Sequence, residues 1–72
     1  MPTVDSRLRA LTPSERATLM RYVLRVGGQV TAARGLGLHR ETIHGALAGY
    51  PLQRRSLAII QDRVLVTEGV QP

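Results

Sequence analysis

Apolar residues recur along this chain three or four positions apart, the spacing of helices, and nowhere alternate with the period of two that a strand requires. The first such segment is predicted to be a helix over residues 13–26, with Thr12 as its N-cap and Glu15 as the carboxylate of a capping box. Pro13 suits the first helical position, and the glycine pair at 27–28 suits a left-handed stop. The apolar side chains predicted to face inward are Ala17, Met20, Val23 and Leu24.

Three further helices are predicted after this one. Residues 29–35 have room for about two turns, and residues 40–48 form a second short helix that Gly49 ends. After a loop marked by Pro51, the last helix runs from Arg54 to about residue 66. Its inward residues are predicted to be Leu57, Ile60 and Val64.

The length of 72 residues suffices for one small domain. Residues 12–68 are expected to form it, with residues 1–11 as a loose N-terminal arm that forms one turn around 6–11, and residues 69–72 as a tail. The chain has no Cys, so neither disulfides nor thiolate metal sites can support the core, which must hold by packing or by self-association. The helical spacing of the apolar residues predicts an all-α domain.

The charge of the chain favours a polyanionic partner. Ten Arg and no Lys stand against five acidic residues, which gives a net charge of +5. Tyr22 and Tyr50 are the only aromatic residues, too few for the stacking platforms of proteins that bind single strands. Duplex DNA is therefore the expected partner, although a GC-rich coding sequence would explain most of the preference for Arg over Lys.

No segment of the sequence indicates a membrane or an export signal. The longest apolar runs, such as residues 57–60 and 64–66, are far too short to span a bilayer, and the N-terminus lacks the apolar region of a signal peptide. We therefore expect a soluble cytoplasmic protein.

Residues 29–47 combine several constraints that act together. Ala33 is small where a crossing helix must approach closely, and Gly37 can take the positive φ needed to turn within three residues. The apolar contacts of this pair are predicted to come from Leu36, Leu38, Ile43, Ala46 and Leu47. The outer face of the second helix then carries the polar side chains Arg40, Glu41 and His44. A polar helix face on a rigid pair is the geometry that reads the major groove of DNA.

This stretch resembles the helix-turn-helix of the lambda-repressor and Cro family of transcriptional regulators, with a match from Gln29 to about Leu65. The positions that carry the match are Gln29, Ala33, Leu36, Gly37, Leu38, Ile43, Ala46 and Leu47. Gly35 and His39 depart from the family, which prefers a better helix former and a Ser or Thr cap at these positions. The resemblance implies a four- to five-helix lambda-repressor-like domain that binds an inverted-repeat operator as a homodimer and represses a promoter.

The resemblance also implies roles for individual residues. Those that match base contacts are His39, Arg40, Glu41 and His44, to which Thr42 adds a methyl or hydroxyl contact. Those predicted to contact phosphate are Gln29, Thr31, Arg34, Arg54 and Arg55. Arg40 suits guanine and Glu41 suits cytosine, so a half-site with G·C pairs is expected.

Other chemistry finds little support in the sequence. His39 and His44 lie five positions apart, whereas two metal ligands on one helix face need a spacing of three or four, so no metal is expected. Glu41 has no second carboxylate on its face, and so short a chain offers no evident catalytic pocket, which argues against an enzyme. The short chain also leaves little room for a small-molecule effector domain, and no cofactor is expected.

Several alternatives stay open at this stage. Arg7 and Arg9 belong either to a basic arm that reaches DNA or to a disordered tail with incidental charge, and the tail is favoured over the arm by about two to one. The apolar residues Leu65, Val66 and Val70 either form a dimer interface or complete the core. The rival functions are a protein-interaction module, such as a small antitoxin or adaptor, and an architectural protein that bends DNA.

Overall fold

A computed structural model describes residues 7–68, with side chains from Arg9 onward. In chain order the elements are β1 (Arg7–Arg9), α1 (Pro13–Val26), α2 (Gln29–Leu36), α3 (Arg40–Ala48), β2 (Leu52–Gln53), α4 (Arg54–Ile60) and a π-helical segment (Gln61–Leu65). The described chain is mostly helical, which confirms the predicted all-α class. The predicted tail at 69–72, Val70 and the arm before Arg7 lie outside the described residues.

The bounds of α1 agree with the prediction because local capping signals fix both ends. The Thr12 hydroxyl accepts a hydrogen bond from the Glu15 amide at 3.1 Å, and the Thr12 amide donates to the Glu15 carboxylate at 2.9 Å. Both halves of the capping box are thus present. At the other end, Gly27 takes the left-handed conformation and donates its N–H to the carbonyl of Val23.

The predicted inward face of α1 is wrong in phase. Of the four predicted residues, Val23 is buried, whereas Met20 is 40% exposed, Leu24 is 71% exposed and Ala17 also lies at the surface. Leu19 and Thr18 are buried instead. Apolar residues occupy adjacent positions at 19–20 and 23–24, so two neighbouring faces satisfy helical spacing equally well, and packing against the rest of the core decides between them.

One continuous core joins all the helices. Its buried apolar members are Leu11, Leu19, Val23, Ala32, Ala33, Leu36, Ile43, Ala46, Leu52, Leu57, Ile60, Val64 and Leu65. Some of these residues lie near the ends of the described chain. Leu11, which is 2% exposed, precedes α1, and Val64, which is fully buried, lies in the π-helical segment. No helix of the described residues is long and apolar enough to cross a membrane.

The residues just before α1 differ from the predicted loose arm. Strand β1 pairs antiparallel with β2, with Arg7 opposite Gln53 and Arg9 opposite Leu52. The expected helical turn around 6–11 is therefore wrong for residues 7–11. The physical reason is that the buried side chain of Leu11 anchors this segment on the core, where β2 offers backbone hydrogen-bonding partners.

The last helix changes its hydrogen-bonding pattern before it ends. After Ile60 the backbone becomes π-helical, and the Val66 amide donates to the Gln61 carbonyl at 3.1 Å. The predicted inward residues Leu57, Ile60 and Val64 are all buried. Leu65 completes the core, whereas Val66 is 63% exposed, and Glu68 pairs with Arg25 of α1.

Stability of the fold should depend on pH through Glu15. Hydrogen bonds from Arg9, at 2.6 and 3.0 Å, and from the Thr12 amide lower the pKa of this carboxyl from 4.5 to about 2. As pH falls from about 4.5 towards 2, the unfolded chain takes up the proton first, so the stabilisation present above this window is lost. We expect Glu15→Gln to remove about 1 kcal/mol at neutral pH, because solvent screens the exposed Arg9 side of the pair. Urea titrations of both proteins at pH 2–7 measure the free energy of unfolding and its dependence on pH.

The matched control is Asp62→Asn, because Asp62 is exposed and forms no ion pair with a described residue. Its stability should follow that of the unsubstituted protein across the whole pH range. If Glu15→Gln lost stability just as steeply below pH 4.5, the Arg9–Glu15 pair would not be the cause of the acid sensitivity.

Candidate nucleic-acid interface

The connection between α2 and α3 is a three-residue turn, Gly37 to His39, which confirms the predicted turn at Gly37, although α2 ends at Leu36, one residue later than predicted. Gly37 adopts a φ of +70°, and the Leu38 amide donates to the Ala33 carbonyl at 2.9 Å. Leu38 then packs against the core. The left-handed glycine therefore ends α2 and at once directs the chain into α3.

Helix α3 packs against α2, and both helices bury small or apolar side chains. Ala32 and Ala33 of α2 are 0% and 3% exposed, and Ile43 and Ala46 of α3 are fully buried. Leu47 is half-buried on the same side. The predicted anchoring of α3 by these residues is confirmed, and it fixes which side of the helix faces outward.

The outer side of α3 carries two rows of residues. Arg40 and His44 lie four positions apart and form one exposed row. Glu41 and Gly45 form the next row, and Glu41 is exposed. Thr42 is half-buried at the edge of this surface, so it is less accessible than the other predicted base-contact residues.

An open groove runs beside the Glu41–Gly45 row. Its residues come from the turn before α3, α3 itself, the following loop, β2 and the start of α4, and they are His39, Glu41, Thr42, Gly45, Tyr50, Pro51, Leu52, Gln53 and Ser56. Arg40 and His44 do not line it. The outer face of α3 is thus bordered on one side by a concave surface that the sequence analysis did not anticipate.

Tyr50 forms the outer wall of this groove. A Cβ built on Gly45 would lie 3.6 Å from Cδ2 of Tyr50, so the ring rests directly against the helix where it has no side chain. Tyr50 is nevertheless 65% exposed. The signal in the sequence was Gly45, a glycine inside a predicted helix, followed five positions later by the aromatic residue Tyr50. The two residues meet only because the chain turns at Gly49.

The predicted phosphate-binding residues of α2 lie around its first two turns. Thr31 and Arg34 are exposed, whereas Gln29 is half-buried. Neither α2 nor α3 has a side-chain hydrogen bond at its N-cap, in contrast to α1. Among the described residues no side chain caps the first backbone amides of α2, and amides at a helix N-terminus are donors that suit an anion.

The two arginines at the start of α4 take different positions. Both are exposed. Arg55 lines a second, smaller depression together with His39 and Thr42. Arg54 lines neither depression. The fold thus brings Arg55 to the N-terminal end of α3.

The arginines of this surface are not neutralised by the described acidic residues. Among residues 9–68 the ion pairs are Arg9–Glu15 and Arg25–Glu68. The arginines outside these pairs include Arg34, Arg40, Arg54 and Arg55. Over the same residues, no group of three or more His, Asp or Glu is placed to hold a metal ion.

Comparisons of the chain with protein-family models, with curated proteins and with solved structures gave no significant match. The interpretation of this surface therefore depends on its residues and geometry.

Two glycine-to-alanine substitutions near the α2–α3 turn should change the free energy of unfolding in opposite directions. Gly37→Ala should lower the free energy of unfolding by about 1 kcal/mol, because an alanine is strained at positive φ although no atom lies within 4 Å. Gly35→Ala should raise it by about 0.5 kcal/mol, because Gly35 lies inside α2 and its new Cβ would meet only the Tyr22 hydroxyl at 3.4 Å. Thermal unfolding followed by circular dichroism measures both.

Gly37→Asn provides the control, since Asn tolerates the left-handed region better than Ala and should cost less. Equal losses for Gly37→Ala and Gly35→Ala would contradict the assigned backbone geometry of the turn.

Proposed function

We propose that this chain is a sequence-specific regulator of transcription that binds duplex DNA, with α2 and α3 as a helix-turn-helix and α3 as the recognition helix. The proposal includes binding to an inverted-repeat operator as a homodimer and repression of a promoter. The observation that carries it is the outer face of α3, which is exposed and polar while Ile43 and Ala46 anchor its other side in the core.

The dimensions of α3 support entry into the major groove. A helix with its side chains is about 10–12 Å across, which matches the width of about 12 Å of the major groove of B-DNA, and the nine residues of α3 give it a length of about 13 Å. Arg40, His44 and Ala48 recur every four positions and are all exposed, whereas the ring of Tyr50 lies against the helix at Gly45. A close approach to the bases is therefore open along the row of Arg40, His44 and Ala48.

The polar residues of α3 suit the edges of G·C pairs. The guanidinium group of Arg40 can donate two hydrogen bonds to guanine O6 and N7, and the Glu41 carboxylate can accept from cytosine N4. His44 follows Arg40 in the same row, and His39 precedes the helix. Thr42 is proposed only as a contact at the edge of the groove, because it is half-buried.

The surrounding residues suit the phosphate backbone. Thr31, Arg34 and the amides at the start of α2 offer donors on one side, to which Gln29 adds a side-chain amide. Arg54 and Arg55 offer cations on the other side, and Arg55 shares a depression with His39. A net charge of +5 adds long-range attraction, so affinity should fall steeply with salt.

The homodimer is supported by apolar side chains that the protomer leaves exposed. Met20 and Leu24 lie four positions apart on α1, and Val66 lies at the other end of the described chain. The same side chains are the observation that favours the second candidate function, a protein-interaction module such as an antitoxin or adaptor. A stoichiometric protein partner in a pull-down would support that function.

Selection of binding sites from random duplex DNA at physiological salt, with purified protein, tests the proposal. We expect an inverted repeat whose half-sites contain G·C pairs and lie about one helical turn apart. Recovery of no motif, with only weak and salt-sensitive binding, would contradict sequence-specific regulation and favour the interaction module.

The two kinds of contact should respond differently to substitution. Arg40→Ala should relax the choice of base at one position of the half-site, with a loss of discrimination of about 1–3 kcal/mol. Arg54→Ala should weaken all sequences equally and reduce the slope of log affinity against log salt by about 1. Arg63→Ala, an exposed arginine in the π-helical segment, is the matched control and should leave base preference unchanged. A uniform loss of affinity from both Arg40→Ala and Arg54→Ala would contradict the role of α3 in reading bases.

A further inference from the structure

Arg16 of α1 reaches two parts of the chain that are distant in sequence. Its Nη1 donates to the carbonyl of Leu11 at 3.0 Å. The same nitrogen lies 3.4 Å from the position that a Cβ on Gly49 would occupy, and its Cζ lies 3.9 Å from that position. The guanidinium group therefore lies between the segment that leads into α1 and the C-terminal end of α3.

The end of α3 lacks a cation of its own. A helix C-terminus carries partial negative charge on its last carbonyl groups, which a nearby cation stabilises. No basic residue occurs in the last turn of α3. The turn is closed by hydrogen bonds from the Gly49 amide to the Ala46 and Gly45 carbonyls, and from the Tyr50 amide to the Gly45 carbonyl at 2.9 Å. Arg16 brings a positive charge to this place from another helix.

We propose that Arg16 is the positioning residue of α3, which holds the C-terminal end of that helix, and with it Tyr50, against the start of α1. The Leu11 carbonyl that it binds belongs to a residue only 2% exposed, so the guanidinium is attached to the core at one end. The effect on DNA rests on the function proposed above, whereas the effect on the end of α3 does not.

The other arginines of α1 cannot replace Arg16 in this role. Arg21 donates to the hydroxyl of Thr18 on its own helix. Arg25 pairs with Glu68 and lies over the ring of Tyr22, with its Cζ 5.4 Å from the ring centroid. Arg21 is therefore a suitable control, since it has the same chemistry on the same helix and its side-chain hydrogen bond stays within α1.

Position 49 is restricted by its backbone. Gly49 has a φ of +93°, which disfavours any side chain, whereas a Cβ there would meet Nη1 of Arg16 only at an ordinary contact distance of 3.4 Å. The cation therefore lies in contact with this end of the helix without adding a steric restriction.

Hydrogen exchange of the uncomplexed protein tests the attachment directly. In Arg16→Gln, the amides of Gly49 and Tyr50 should exchange about two- to fivefold faster relative to the amide of Leu38, the size expected for one cation at a helix C-terminus. Leu38 serves as the internal reference because its hydrogen bond to Ala33 lies at the other end of α3. Arg21→Gln should leave the exchange rates of the Gly49 and Tyr50 amides, relative to that of the Leu38 amide, unchanged.

Arg16→Lys should give an intermediate ratio, because lysine keeps the charge but has a shorter and less rigid donor group. If Arg16→Gln does not fold, Arg16→Lys carries the same comparison. An unchanged ratio in the folded variant, or an equal acceleration at Leu38, would overturn the proposal.

DNA binding supplies the second measurement. Arg16→Gln should lower the ratio of affinities for the selected site and for random duplex about two- to fivefold, with an unchanged salt slope. An equal loss on both DNAs together with a salt slope smaller by about 1 would identify Arg16 as a phosphate contact and overturn its positioning role. If the unsubstituted protein selects no sequence but the exchange result holds, the regulator function fails while Arg16 still positions α3.

Discussion

The close contact between α2 and α3 is the constraint on which the rest of the structure depends. Ala32 and Ala33 of α2 and Ile43 and Ala46 of α3 are all buried, and the separation of two packed helices depends on the size of the side chains between them. A larger residue at position 33 would overpack this core, because packed interiors absorb added volume only by strain. Because the side of a helix that is buried determines which side faces the solvent, the same contact determines that Arg40, Glu41 and His44 face outward.

A core this small is completed from both ends of the described chain. Leu11 enters it just before α1, and Val64 and Leu65 enter it after α4. Polar contacts tie the same segments together, since Arg9 binds Glu15, Arg16 binds the Leu11 carbonyl and Arg25 pairs with Glu68. In a chain without cysteine, this contribution of the terminal segments takes the place of covalent cross-links.

The parts of the fold that were predictable from sequence are those encoded locally. Thr12, Glu15, Gly37 and Gly49 define helix ends through hydrogen bonds within a few residues, so the bounds of α1 and α3 and the exposure of the outer face of α3 could be predicted. The inward face of α1 could not, because adjacent apolar pairs leave its phase ambiguous. The pairing of β1 with β2 and the groove beside Tyr50 depend on contacts between segments distant in sequence, which no local signal encodes. The roles of the outer residues in binding DNA remain predictions.

The outer face of α3 has a further property that concerns how such a protein changes over evolution. None of the side-chain hydrogen bonds or ion pairs among the described residues involves Arg40, Glu41 or His44. Substitutions at exposed positions of this kind usually change stability by less than about 0.5 kcal/mol. Mutations can therefore accumulate on this surface while the scaffold beneath it stays intact, and related chains could diverge in what they bind without first acquiring compensating changes in the core.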